Sequence, residues 1–179
     1  ARLMQSMPRG GMLSVRMPEA EVVLLLSGSL AVAGVNGPKL TIVSGPHTEL
    51  DALVSYLEKN EIMCKKLHTS HAFHSPIMDP IIEPYTELVE KIALSEAQIP
   101  IVSTLTGSWI KPGEWMDPSY WSKQLRGAVR FADAVGTLTQ DSSQVLLEVG
   151  PGQTLAILAS GHPDKSRDQV AIPSMPPIE

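Results

Sequence analysis

The sequence predicts a mixed α/β protein that opens with a βαββαβ unit, and three observations support this fold class. Residues 11–67 carry strand-like and helix-like patterns in the order strand, helix, strand, strand, helix, strand, which is the ferredoxin-like order. Residues 68–160 continue with amphipathic helical segments between short apolar runs. The chain is 43% hydrophobic and 18% charged, as is typical of a globular domain. Its 179 residues suffice for one ordinary domain or two small lobes.

Each element of the first unit has a local signal. Alternating or short apolar runs predict four strands, at residues 11–17, 30–35, 40–44 and 61–67. The first helix lies between Pro18 and Gly28, because proline favours a first helical turn and glycine a helix end. Residues 36–38 (Asn-Gly-Pro) carry turn chemistry between the two middle strands. Thr48 and Asp51 resemble a capping box at the start of the second helix. That helix has one apolar stripe, formed by Leu50, Leu53, Val54 and Leu57.

The second half is predicted to be mainly helical. Asp79 is the expected N-cap of a helix that runs to Ile92, and Pro84 is expected to kink this helix or delay its start. Further helices are predicted at residues 118–125, 131–138 and 153–159. Apolar runs predict strands at residues 99–105 and 144–149. From His162 the chain is polar and proline-rich, which is typical of a linker.

The composition argues against several classes of function. The net charge of −5 and the lack of a basic stripe disfavour binding to nucleic acid. The longest apolar run, residues 22–26, is too short to cross a bilayer, so no membrane span is expected. Cys64 is the single cysteine, which excludes a disulfide framework and a CxxC zinc site and fits a cytoplasmic setting. No signal peptide opens the chain, and its first residues resemble the end of an amphipathic helix cut at its start.

Three of the five histidines, His68, His71 and His74, fall within the stretch HTSHAFHSP at residues 68–76. The strand-like residues before them and Pro76 after them predict a strand end followed by a loop. Three interpretations are open: an ordinary loop with one buried and two solvated histidines, a general base, or a metal site. Apart from Asp79, no carboxylate or cysteine stands at a helpful spacing, so no metal is expected.

The stretch HAFHSPIM, residues 71–78, resembles the histidine motif of the acyltransferase domains of modular polyketide synthases, in the HAFH form associated with malonyl-CoA. Four more stretches resemble that family in the same order: RLMQSMPRGGMLSV (2–15), AGVNGPKLTIVSGP (33–46), YWSKQLRGAVRFADAV (120–135) and LLEVGPGQTLA (146–156). The resemblance implies a division of the chain into parts. Residues 11–67 would be the small ferredoxin-like subdomain, and residues 68–160 the C-terminal part of a hydrolase-like parallel α/β lobe. Residues 1–10 would end a helix of the large lobe, and residues 161–179 would form the linker after the domain.

The resemblance also implies a serine–histidine acyl transfer. A serine takes the malonyl unit from malonyl-CoA, and the phosphopantetheine thiol of an acyl carrier protein then takes it from the serine; no covalently bound cofactor is implied. His74 matches the general base, and the backbone carbonyl that fixes its ring is expected within residues 124–130. His71 and Phe73 match positions that select the substrate by excluding a methyl branch. Asn36 is either a substrate-pocket residue from the small lobe or an ordinary turn asparagine.

One departure from the family pattern concerns the nucleophile. No GHSxG or GxSxG motif, the strained turn that carries the serine, occurs in the sequence. The resemblance places this serine and the arginine that binds the malonyl carboxylate upstream of Ala1, with Arg2 as a fallback one position out of register. Ser70 and Ser75 lie near His74 but on no such turn. The 179 residues alone are therefore expected to be inactive.

The expected partners are the acyl carrier protein and either the missing N-terminal half of the domain or flanking synthase domains. Two other interpretations stay open at this point. The lack of the serine favours a non-catalytic module that docks the carrier protein or flanking domains. A metal-binding protein built on the three histidines is the other, and a metal titration would test it.

Overall fold

The structure is a computed structural model that describes residues 1–176. After the short helix α1 (Arg2–Gln5), the first unit has strands β1 (Gly11–Val15), β2 (Ala31–Gly37), β3 (Leu40–Gly45) and β4 (Cys64–Lys66). Helix α2 (Glu19–Val23) connects β1 to β2, and helix α3 (His47–Lys59) connects β3 to β4. The strands form one antiparallel sheet in the order β2-β3-β1-β4, which confirms the predicted ferredoxin-like lobe.

One face of this sheet and two helices enclose the core of the small lobe. β1 points alternate side chains inward, and its Leu13 stands opposite Val43 of β3. α3 covers this face with its predicted apolar stripe, because residues three and four apart share one side of a helix. The buried core residues are Leu13, Val15, Val22, Val43, Leu50, Leu53 and Leu57. The periodicity read from the sequence therefore matches the packing.

α3 begins at His47 because Pro46, with φ of −59°, takes the N-cap position. No side-chain hydrogen bond caps this helix, so the predicted capping box at Thr48 is wrong. Glu49, in the first turn, instead accepts a hydrogen bond of 2.8 Å from the backbone N–H of Ser29. The first turn of α3 is thus tied to the segment before β2 rather than to its own amides.

The segment after the histidines starts with a 3₁₀ helix, Pro76–Ile81, followed by α4 (Ile82–Val89). Ser75 caps the 3₁₀ helix by accepting a hydrogen bond from the backbone N–H of Ile77, so the predicted cap at Asp79 is wrong. Pro84 lies in the first turn of α4, where its missing N–H leaves no helical hydrogen bond unmade. The predicted delay in the start of this helix is confirmed.

The second half contains the three further helices that the sequence predicts: α5 (Pro118–Arg126), α6 (Phe131–Thr139) and α7 (Thr154–Ser160). β5 (Leu146–Pro151) matches the predicted strand near its position and pairs in parallel with β6 (Ala171–Met175). The sequence does not predict β6, because Pro173 interrupts its short apolar stretch and the residues before it are polar, as in a linker. Pro173 fits an edge strand, where a missing N–H is tolerated. None of the helices within residues 1–176 has the length and apolar character needed to cross a membrane.

The predicted strand at residues 99–105 is wrong. The described part of the chain gives this segment one isolated bridge, between Val102 and Trp109. Ile99 is 76% exposed, and Pro100 has no N–H to donate to a neighbouring strand. Two backbone hydrogen bonds, from Ser103 to Ser108 and from Ile110 to Ile101, join this segment to residues 108–110, and this short pairing does not extend into a strand.

Candidate active site

The histidine loop, residues 71–74, leaves β4 and passes against the segment that enters β1. His71 forms an isolated antiparallel bridge with Arg9, and Ala72 is fully buried. A Cβ atom on Gly10 would lie 2.8 Å from the Cβ of Ala72, so glycine permits this close approach. The loop is therefore held against the N-terminal segment through its backbone.

His74 occupies a left-handed backbone conformation, with φ of 57°. Such a conformation is unfavourable for a residue with a Cβ atom, costs about 1–3 kcal/mol, and is frequent at functional sites. The buried hydroxyl of Ser75 stabilises the turn by donating to the carbonyl of Ala72 at 2.6 Å. The same oxygen accepts from the backbone N–H of Ile77 at 3.3 Å. The direction of the His74 side chain is thus set by a turn that Ser75 holds.

His74 is half-buried, and its Nδ1 is shielded from water. This burial lowers the pKa of His74 below its ordinary value, and the backbone of Gly127 and of Gln124 beside the ring partly offsets that effect. Both backbone groups lie in the segment where the ring's partner is expected. The Nδ1 atom is buried and has no hydrogen-bond partner among the described residues. The two backbone groups therefore lie near the ring without a hydrogen bond to Nδ1. A neutral imidazole is the form that this environment favours.

The backbone groups beside His74 belong to the end of helix α5: Gln124 lies in its last turn and Gly127 directly follows it. Asp117 caps its start by accepting a hydrogen bond of 2.8 Å from the backbone N–H of Ser119. At its end the N–H of Gly127 donates to the carbonyl of Lys123 at 2.7 Å. A Cβ atom on Gly127 would approach that carbonyl and the side chain of Leu105 to 2.8 Å. Glycine therefore lets the chain leave the helix beside His74.

The linking segment, residues 127–130, contacts the small lobe along β2. The backbone N–H of Val35 donates to the carbonyl of Val129 at 2.8 Å. Asn36 is the next residue of β2, and the hairpin turn follows at residues 38–39. Asn36 consequently lies in a strand rather than in the turn, and its role in a substrate pocket stays a prediction.

His71 and Phe73 lie side by side in the histidine loop. Their ring centroids are 6.0 Å apart, with an angle of 43° between the planes. His71 is buried, and its Nδ1 shares a hydrogen bond of 2.8 Å with the hydroxyl of Ser70. The His71 ring is thus held in place next to the Phe73 ring. Their predicted role in substrate selection is a steric one.

The two serines near His74 are engaged elsewhere. The Ser75 hydroxyl makes the two hydrogen bonds of the turn, and the Ser70 hydroxyl pairs with His71. Neither hydroxyl is arranged to transfer its proton to His74. Within residues 1–176, no three histidine, cysteine, aspartate or glutamate side chains are grouped to hold a metal ion, and His68 is exposed.

Two residues of this region were not predicted from the sequence. Ser70 directly precedes the HAFH motif, and its hydroxyl shares a hydrogen bond with His71. The adjacency of a serine and a histidine is the sequence signal for this bond. Arg130 pairs with Glu19, which lies 111 residues earlier in the chain. No local sequence pattern connects residues so far apart, so the sequence does not predict this ion pair.

A family model described as "Acyl transferase domain" matches residues 1–175. The chain belongs to this family. The acyl transferase chain is 36% identical to the PKS-NRPS hybrid synthetase acdB of Aspergillus candidus, over 98% of the chain and 7% of that protein. It is 37% identical to the polyketide synthase GfsA of Streptomyces halstedii, over 88% of the chain and 2% of that protein.

Two solved structures share the fold over 99% of the acyl transferase chain. The acyl transferase domain of SpnD in complex with 2-(pent-4-yn-1-yl)malonyl matches with a TM-score of 0.93 and 30% identity. The acyl transferase domain of ZmaA matches with a TM-score of 0.88 and 35% identity. The chain spans 43% and 42% of these two structures. The resemblance to acyltransferase domains of modular polyketide synthases and the mixed α/β fold are both confirmed.

Proposed function

We propose that this acyl transferase chain carries the general base of a malonyl transferase in polyketide synthesis. Malonyl-CoA is the donor, and the phosphopantetheine thiol of an acyl carrier protein is the acceptor. The carrying observation is the half-buried His74 imidazole, which a left-handed turn orients beside the backbone of Gln124 and Gly127. The single cysteine, Cys64, fits the cytoplasmic setting that is proposed here.

In the proposed reaction, His74 accepts the proton of a serine hydroxyl while the serine oxygen attacks the malonyl thioester. His74 then returns a proton to the departing thiolate of coenzyme A. In the second step it accepts the proton of the phosphopantetheine thiol, whose sulfur attacks the acyl-serine, and the proton goes back to the serine oxygen. Because burial lowers the pKa of His74, the imidazole is neutral and able to accept a proton at neutral pH.

The nucleophile is proposed to lie outside these 179 residues, since no GxSxG turn occurs among them. The arginine that binds the malonyl carboxylate is assigned to the same outside segment. Loss of a member of a serine–histidine pair costs several orders of magnitude in rate. We therefore expect residues 1–179 on their own to transfer no malonate.

An exposed apolar face supports a partner that supplies the missing half of the domain. Val145 and the β5 residues Leu147 and Val149 are 60%, 54% and 84% exposed. A groove of about 360 Å³ lies beside them, between β5, α6 and α7. Contiguous apolar surface of this kind is typical of an interface. The same face also favours the second candidate function, a non-catalytic module that docks a carrier protein or flanking synthase domains.

Selectivity for malonyl is proposed to come from the paired rings of His71 and Phe73. A bulky ring facing the α-carbon of the acyl group leaves no room for a methyl branch. One methylene is worth only about 1–3 kcal/mol of discrimination, so the preference is expected to be real but incomplete.

Intact-mass spectrometry after incubation with malonyl-CoA tests the proposed function. The chain is measured alone and with a co-expressed N-terminal half that carries a GHSxG turn. We expect a malonyl adduct on the partner half in the pair, and none on the chain alone. His74→Ala should abolish the adduct, whereas His68→Ala, at an exposed histidine of the same stretch, should retain it.

Two outcomes would contradict the proposal. A malonyl adduct on the isolated chain would reveal a nucleophile within residues 1–179. If the adduct forms equally well with His74→Ala, His74 is not the general base. Stable pairing of the two halves without any acyl transfer would favour the docking module.

A further inference from the structure

Arg130 lies between two carboxylates from different parts of the molecule. Its Nη1 donates to both carboxylate oxygens of Glu19, at 2.7 and 2.8 Å, and Glu19 opens helix α2 of the small lobe. Its Nε donates to Asp133 of α6 at 2.6 Å. The Arg130 side chain is 27% exposed, so water screens these pairs less than it screens pairs at the open surface. The two acidic neighbours raise the pKa of Arg130, which therefore stays charged.

The backbone around Arg130 is fixed from both sides. Its own N–H donates to the carbonyl of Thr104 at 2.7 Å. The N–H of the preceding Val129 donates to the carbonyl of Ala33 in β2 at 2.9 Å, and Val35 returns a hydrogen bond of 2.8 Å. A Cβ atom on Gly34 would lie 3.4 Å from the Val129 carbonyl, so the segment runs close against β2 at this point. The linking segment is therefore attached to the small lobe and to residues before α5.

The linking segment begins at Gly127, whose backbone lies beside the His74 ring. Arg130 stands only three positions further along, so movement at one end of this short segment changes the position of the other. Arg130 itself is not among the groups that contact the imidazole in the described structure. Its influence on His74 runs through the backbone of the segment.

We propose that the Glu19–Arg130–Asp133 cluster is a clamp between the two lobes, and that Arg130 is a positioning residue for His74. The clamp holds the linking segment on β2 and so fixes the backbone that the His74 imidazole meets. The catalytic consequence rests on the proposed function, in which His74 is the general base. The clamp is inferred only from the hydrogen bonds of Arg130 with Glu19 and Asp133, so it can be tested separately.

The first experiment measures amide hydrogen exchange by NMR in the 179-residue chain. Glu19→Gln and Arg130→Lys each weaken the clamp while they keep a hydrogen-bonding side chain of similar size. We expect exchange of the Val35 and Val129 amides, which join the lobes, to accelerate about fivefold or more. Lys66→Gln is the matched control, because Lys66 pairs with Asp51 at an exposed position within the small lobe. Unchanged exchange in both clamp variants, or equal acceleration in the control, would overturn the clamp.

The second experiment measures malonyl transfer by the same variants paired with the co-expressed N-terminal half. A positioning role predicts a kcat about tenfold lower with KM nearly unchanged, because binding groups stay in place while the base is misaligned. Faster exchange with an unchanged kcat would overturn the positioning role. If the wild-type pair transfers no malonate, the proposed function fails, and the exchange result still decides the clamp. Glu19→Gln keeps the test valid if a change at Arg130 prevents folding.

Discussion

His74 combines two features that ordinary surface histidines lack. Its backbone is held in a left-handed conformation by the buried hydroxyl of Ser75, and its ring is half-buried beside two backbone groups. Residues with strained backbones and desolvated titratable groups concentrate at functional sites. These features orient the ring and favour its neutral form before any substrate arrives, which is what a general base requires.

The lowered pKa of His74 has a measurable consequence. Since burial favours the neutral ring, its NMR titration midpoint should lie below about 6.5, the ordinary value for histidine. In the proposed enzyme the transfer rate should then hold as pH falls toward about 6.5 and decline only below it. His74→Asn removes the resonance and so identifies it. A midpoint at or above the ordinary value would contradict the burial argument.

Phe73 allows a test of the steric selection. Replacing it with serine opens space beside the His71 ring, 6.0 Å away, for a methyl branch. We expect the ratio of methylmalonyl to malonyl transfer by Phe73→Ser, in the complete pair, to rise about tenfold or more. A competition assay with both CoA esters measures this ratio. If the ratio does not move, Phe73 only packs the loop.

At the scale of the elements, two hydroxyl residues near helix starts should differ sharply. Ser75 is buried, donates to one carbonyl and caps the 3₁₀ helix, so Ser75→Ala should lower the free energy of unfolding by about 1–2 kcal/mol. Thr48 is exposed and caps nothing, so Thr48→Ala should stay within about 0.5 kcal/mol. Urea unfolding of both variants gives the comparison. An equal or larger loss in Thr48→Ala would mean that it caps α3 after all.

Elements with strong local patterns could be predicted, and elements that depend on distant partners could not. The ferredoxin-like order follows from alternation in β1 and from the stripe of α3, which are local properties. β6 forms because β5, an earlier strand, pairs with it in parallel, and the sequence around β6 resembles a linker. Residues 99–105 have an apolar pattern without a neighbouring strand, and the pattern alone predicted a strand that is absent.

At the scale of the whole molecule, the small lobe has an enclosed core while β5 leaves apolar side chains in contact with water. The chain measured alone should therefore associate in a concentration-dependent manner. Val149→Lys, at a side chain 84% exposed on this face, should reduce the association seen in sedimentation velocity. Leu24→Lys is the control, because Leu24 is 82% exposed on the small lobe, far in sequence from β5. If both changes reduce association equally, the added charge acts through general solubility and the β5 face is not a specific contact surface.

The candidate site could be predicted only in part. The histidines and Phe73 stand in one continuous motif, so the sequence brings them together by itself. The backbone of Gln124 and Gly127 was expected from the family resemblance and lies beside His74. The pairing of Arg130 with Glu19 joins residues 111 apart, and neither residue carries a local sign of it. Long-range charge pairing depends on the fold being known first.

The close approach between Gly10 and Ala72 bears on attempts to exchange substrate preference between related domains. A graft of residues 70–75 from another acyl transferase can also replace Ala72, the residue that packs against Gly10. A larger residue at position 72 would press toward this glycine, which already lies close to the backbone carbonyl of Gly45. Chimeras that carry residues 9–11 together with the transplanted loop keep the two surfaces matched. Transplants that place a residue larger than alanine at position 72 without changing residues 9–11 are expected to lose activity before they change selectivity.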